Sequence, residues 1–231
     1  MKQSQAKKRD NAMTNKILMG LIALVLGLLF LEILIVHSKN EQQKNASNQV
    51  QTARIMANGD LLYHDALYMS ALQADGSYDF TENFTYVKPW LKQADLVLGD
   101  FEGTVNPDYP LSGYPLFNAP QSVTAAIKDA GYDVMDLAHN HILDSGLEGA
   151  FTTADAFKKV GIDPIGVYEK PVRDKAPLLI KNVNGIKVAI LSYAYGYNGL
   201  ESNLTDKEVA DHLSNLDEKR MKAEIQRAEK E

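Results

Sequence analysis

Residues 17–36, ILMGLIALVLGLLFLEILIV, are apolar throughout except for one charge, Glu32. A helix of that length rises roughly 30 Å, the thickness of a hydrocarbon core. A cleaved leader would carry a shorter apolar region, roughly 7–15 residues, followed by small residues at a cut site. Here HSKNEQQ follows instead, so the pattern predicts a retained transmembrane anchor. Glu32 lies near its outer end, within reach of the interface. Residues 37–51, HSKNEQQKNASNQVQ, are polar almost throughout and read as a linker. From Thr52 onward the rhythm changes to short apolar runs alternating with amphipathic ones.

Three of the short runs read as strands: ARIMANGD (53–60), DLVLGDFEGTV (95–105) and DVMDLAHNH (133–141). Helical spacing appears in FTYVKPWLKQA (84–94), with a break at Pro89. It recurs in APQSVTAAIKDAGY (119–132), with proline near the start and glycine at the end, and in GLEGAFTTADAFKKVGI (146–162), closed by Gly161. PLLIKNVNGIKVAILSYAYG (177–196) reads as a hairpin turning at Asn184-Gly185. The tail, SNLDEKRMKAEIQRAEKE (214–231), predicts a charged helix with a thin apolar side of Leu216, Met221, Ile225 and Ala228. Strands alternating with helices predict an α/β fold with a largely parallel sheet over 52–231.

Charge orients this arrangement. The chain carries a formal −6, yet residues 1–16 hold Lys2, Lys7, Lys8, Arg9 and Lys16 against Asp10, leaving −10 for the rest. A basic segment ahead of an anchor predicts a cytoplasmic N-terminus of residues 1–16 and a body outside the membrane. The acidic body argues against nucleic acid as a partner. The absence of cysteine excludes disulfides and thiolate metal sites.

The chemistry gathers where the predicted strands end. The first ends at Asp60, with His64 close behind. The second ends at Asp100, with Glu102 two residues on. The third ends at Asn140-His141, preceded by His139 and followed by Asp144. Carboxyl ends of neighbouring parallel strands converge on one rim, where ligands bind. Carboxylate, amide oxygen and imidazole together suit hard or borderline divalent cations such as Mn, Fe, Zn or Mg. Taken singly, a Gly-Asp pair is an ordinary turn, His64 a surface or capping residue, and Asn140 a cap; the coincidence at successive strand ends points to a shared site.

The stretches ANGDLLYHD, ADLVLGDFEGTV, YDVMDLAHNHILDSG and GIKVAILSYAYG resemble the bacterial CapA/PgsA capsule-synthesis family, over about residues 53–200. That family is associated with poly-γ-glutamate capsules. Its domain is similar to the calcineurin-like metallophosphoesterases, so the resemblance implies a layered α/β/β/α core. It implies metal ligation by Asp60, by Asp100 in the bridging position and by Asn140, with His141 acting on the leaving group or phosphoryl oxygens. His64 sits later than the family's Asp-x-His spacing, and Glu102 follows Asp100 where relatives carry Asn-Leu-Glu-Gly. His139 stands where relatives carry the first asparagine of Asn-Asn-His. Asp144 is placed to orient His141 by a hydrogen bond. The family also draws histidines from later strands, whereas only His212 follows His141 here, so the fold is expected to be C-terminally incomplete.

The resemblance implies partners in the membrane, in other capsule-synthesis membrane subunits and in an anionic polymer. Three functions fit: a metal-dependent hydrolase or transferase, a non-catalytic export or scaffold subunit, and a truncated inactive remnant.

Overall fold

The computed structural model describes residue 19 and residues 27–40, 50–172 and 175–231. The chain divides into two compact units, Met1–Val50 and Gln51–Glu231. In the first, residues 27–40 are helical. Most of the first half of the predicted anchor, like residues 1–16 and 41–49, lies outside the described residues. Among the described residues no helix is long and apolar enough to cross a membrane.

The second unit is α/β. Strands β1 (Ile55–Leu62), β2 (Leu96–Glu102), β3 (Val134–Asp136) and β4 (Asp163–Ile165) form a parallel sheet in the order β1-β2-β3-β4. Helix α1 (Asp65–Ser70), a 3-10 turn (Thr81–Phe84) and the single-turn α2 (Lys88–Leu91) join β1 to β2. Helix α3 (Ser122–Ala130) precedes β3, and α4 (Gly146–Lys159) joins β3 to β4. The hairpin β5 (Leu179–Val183) and β6 (Ile186–Ile190) follows, then α5 (Asp206–His212) and α6 (Glu218–Ala228). Asn184 and Gly185 both adopt positive φ, 53° and 86°, which a two-residue turn of the hairpin's twist requires. Pro89 falls in the first turn of α2, where its missing N–H has no helical partner to lose.

Alternation along the strands sorts side chains onto two faces. Val97, Phe101 and Met135 pack with Val123, Ile127 and Ala130 of α3 and Ala150, Ala154 and Phe157 of α4. On the opposite face, Leu96, Val134 and Ile165 pack with Val183, Leu179, Val188 and Ile190 of the hairpin. The order is therefore helices, parallel sheet, hairpin. Burying each of the larger side chains among these contributes about 1.5–3 kcal/mol.

Two elements depart from the sequence reading. β4 is an edge strand of Asp163-Pro164-Ile165, too short to carry an alternating signal and containing the proline that edges tolerate. Helix α6 docks through charge rather than an apolar stripe. Leu216 and Ile225 stay about half exposed, while Glu224 is buried and accepts from Arg220 Nε at 2.9 Å and from the Tyr193 hydroxyl. Arg220 Nη1 also donates to Leu213 O (3.1 Å), and Arg227 Nη2 to Ala176 O (3.1 Å).

Candidate metal centre

Three aspartates stand side by side across three strands, because Asp60 pairs in register with Asp100 and Asp100 with Asp136. An irregularity in β1 makes this possible. Ala57 pairs with Leu98, and three residues of β1 then match two of β2, so the extra residue within Asn58-Gly59 brings Asp60 rather than Gly59 opposite Asp100. Bulges re-aim side chains in this way. Asp100, Glu102 and Asp136 occupy the hairpin face of the sheet by alternation, at its carboxyl end.

The loop after β3 adds the imidazoles. Leu137 N donates to Ile165 O (2.9 Å) and Ala138 N to Asp136 Oδ1 (2.8 Å), which turns the chain over the strand end. Gly166, at φ 94°, passes directly beneath: a Cβ there would lie 2.5 Å from Ala138 N. His139 Nε2 then sits 3.6 Å from Glu102 Oε1 and 3.9 Å from Asp100 Oδ2, and His141 Nε2 lies 3.8 Å from Glu102 Oε1. Asp60, Glu102 and His139 each present one ligand atom, all within 4.8 Å of one another.

This geometry is electrostatically costly without a cation. Burial, then the charges of Asp136, Asp60 and Glu102, push the Asp100 carboxyl up to about 7. Burial and contact with the Asp60 carboxyl push Glu102 to about 7 as well. Burial also raises Asp136, although Ser192 Oγ donates to it. The same burial lowers His139 to about 4, which keeps the imidazole neutral and able to ligate. Among the described residues no lysine or arginine pairs with these acids. Asp100 Oδ1 is buried with no hydrogen-bond partner. An orphaned carboxylate oxygen among acids and a neutral imidazole fits a divalent cation.

His141 and Asp144 form a separate pair at the rim. His141 Nδ1 is 2.8 Å from Asp144 Oδ2, which also accepts from Phe117 N (2.6 Å). Asp144 is raised, first by burial, against those two hydrogen bonds. The Phe117 ring meets His141 edge to face at 4.8 Å and His64 likewise at 4.8 Å. His64 is thus not brought into the acid cluster; it is exposed at the start of α1, where its carbonyl accepts from Leu67 and Tyr68. Asn140 Nδ2 donates to Asn198 Oδ1 (3.1 Å). A cleft of about 610 Å³ adjoins the site, lined by His139, Asn140 and residues 193–199.

The sequence reading left Asp136 and Asn198 out of the site and gave His139 no role as a ligand. Asp136 carries the same signal as Asp60 and Asp100, an acid closing an apolar run. Asn198 carries none, since only the return of the chain after β6 brings it near.

The bacterial capsule synthesis protein PGA_cap family matches residues 54–231. The capsule biosynthesis protein CapA of Bacillus anthracis is 35% identical over 115 residues, 48% of this chain and 28% of that protein. The PGA biosynthesis protein CapA of Bacillus subtilis (strain 168) is 25% identical over 189 residues, 80% of this chain and 48% of that protein. The chain spans less than half the length of these relatives. A match running through nearly the whole of the second unit means that the chain belongs to the bacterial capsule synthesis protein PGA_cap family.

Proposed function

We propose that this chain is a membrane-anchored, extracytoplasmic protein of poly-γ-glutamate-type capsule biosynthesis, whose α/β domain is a metallophosphoesterase-like fold holding divalent metal. One observation carries the reading: the in-register row of Asp60, Asp100 and Asp136, joined by Glu102 and His139, with no lysine or arginine paired to it among the described residues. The apolar run 17–36 after a basic segment supports the anchor and its orientation.

Asp60, Asp100, Glu102, His139 and Asn140 would hold the metal. When bound, such a cation makes water nucleophilic near neutral pH and draws charge from the reacting centre. Around it, the chain supplies proton handling. Asp144 orients His141 through Nδ1, leaving Nε2 to hold a proton for a leaving group. The Phe117 ring packs at right angles to the His141 ring and holds it in place.

A non-catalytic export or scaffold subunit is the second reading. It is favoured by the lack of any described basic side chain paired into the site to grip an anionic polymer. Metal content of the purified chain, and its hydrolysis of bis(p-nitrophenyl) phosphate and poly-γ-glutamate, test the first reading. Capsule formation in cells carrying Asp100→Ala or His141→Ala separates the two. Loss of capsule with intact protein levels supports catalysis, whereas normal capsule refutes it.

A further inference from the structure

We infer that Asn198 is a positioning residue that decides which end of the Asn140 amide faces the metal. The inference rests on the metal-site reading above. Asn198 adopts φ 55°, a left-handed turn conformation that asparagine tolerates, and is followed by Gly199 at φ 84°. From that turn the Asn198 side chain reaches the loop after β3. Here the contacts are two. Asn198 Oδ1 accepts from Asn140 Nδ2 at 3.1 Å, and Asn198 Nδ2 lies 3.4 Å from His141 Nε2 and 3.5 Å from Nδ1.

These contacts form a directional chain that begins at the His141 ring. Asp144 Oδ2, 2.8 Å from Nδ1, fixes the orientation of that ring. Asn198 Nδ2 lies almost equally far from Nε2 and Nδ1, over the ring rather than along either nitrogen's lone pair, and an aromatic face receives an amide N–H better than an amide oxygen. That turns Asn198 Oδ1 toward Asn140, which must answer with its own donor, Nδ2. The amide oxygen of Asn140, the only atom of that side chain able to ligate a hard cation, is left free of any donor among the described residues. A flipped Asn140 would present an NH2 group to the metal. An imidazole ring and two amides thereby fix a ligand's polarity over successive contacts.

Glycine at 198 removes the side chain while tolerating the positive φ, so it separates positioning from backbone strain. Mn2+ affinity of the full 231-residue chain is measured by calorimetry, with thermal unfolding recorded in parallel. Asn198→Gly is expected to weaken Mn2+ binding about 10–100-fold, as loss of supporting hydrogen bonds does at metal sites. The decisive comparison places the same change in an Asn140→Asp background. A carboxylate has an oxygen at both ends and needs no orienting, so there Asn198→Gly is expected to alter affinity by less than about threefold. Equal losses in both backgrounds, or no loss in either, overturn the positioning role. A wild-type chain that binds no Mn2+ instead refutes the metal site itself.

Discussion

Replacing Asp100 by asparagine is expected to stabilise the metal-free protein at neutral pH while removing its response to metal. In the folded chain Asp100 titrates at about 7, against a usual 3.8. A raised carboxyl favours the folded state fully below its unfolded value and loses that contribution as pH climbs through 7. At 1.36 kcal/mol per unit, roughly three units set a ceiling of about 4 kcal/mol. The side chain is 28% exposed, so water screens part of this, and about 2 kcal/mol is the working figure. Glu102 shifts in the same direction, but it shares its interaction with Asp60 and does not simply add. Urea unfolding followed by circular dichroism, with EDTA present, should show wild type losing about 2 kcal/mol relative to Asp100→Asn between pH 4.5 and 8. Saturating Mn2+ should reverse the ranking, because the wild type gains stability by mass action and the variant does not. Parallel pH curves for the two proteins in EDTA would refute the reasoning, since they would mean that Asp100 is not held in a strained ionisation state.

Gly166→Ala would set a Cβ 2.5 Å from Ala138 N at φ 94°; a loss of about 2–4 kcal/mol in urea unfolding is expected, with weaker Mn2+ binding because the His139 loop is displaced. Glu224→Ala strands Arg220, whose side chain is 11% exposed, and should cost about 3–5 kcal/mol, whereas removing both charges as Arg220→Met with Glu224→Leu should recover most of it. Lys222→Ala breaks an ion pair whose partners are 69% and 82% exposed and should change unfolding by less than about 0.5 kcal/mol.

Much of the fold was written in local pattern. Apolar runs closed by Gly-Asp located β1 and β2, helical spacing with a terminal glycine located α3 and α4, and Asn184-Gly185 located the hairpin turn. These are properties of neighbouring residues: side-chain period, turn chemistry and capping act over a few positions, so the sequence alone determined them. The same locality explains the convergence of Asp60, Asp100, Glu102 and the Asn140-His141 loop, since acids at the ends of successive parallel strands share one rim.

What only the tertiary structure decided is how those groups meet. The bulge that aligns Asp60 with Asp100 depends on which residue of β1 pairs with which residue of β2, and no local signal specifies that. Asp136 joins the row through register with Asp100, His139 enters because Gly166 lets its loop settle, and Asn198 reaches Asn140 from fifty-eight residues away. Helix α6 is held by a buried Glu224 that a hydrophobic pattern assigns to solvent. Each of these depends on distances between segments remote in the chain, and burial then sets the protonation of the acids and imidazole it encloses, a property that exists only once the chain has closed around them.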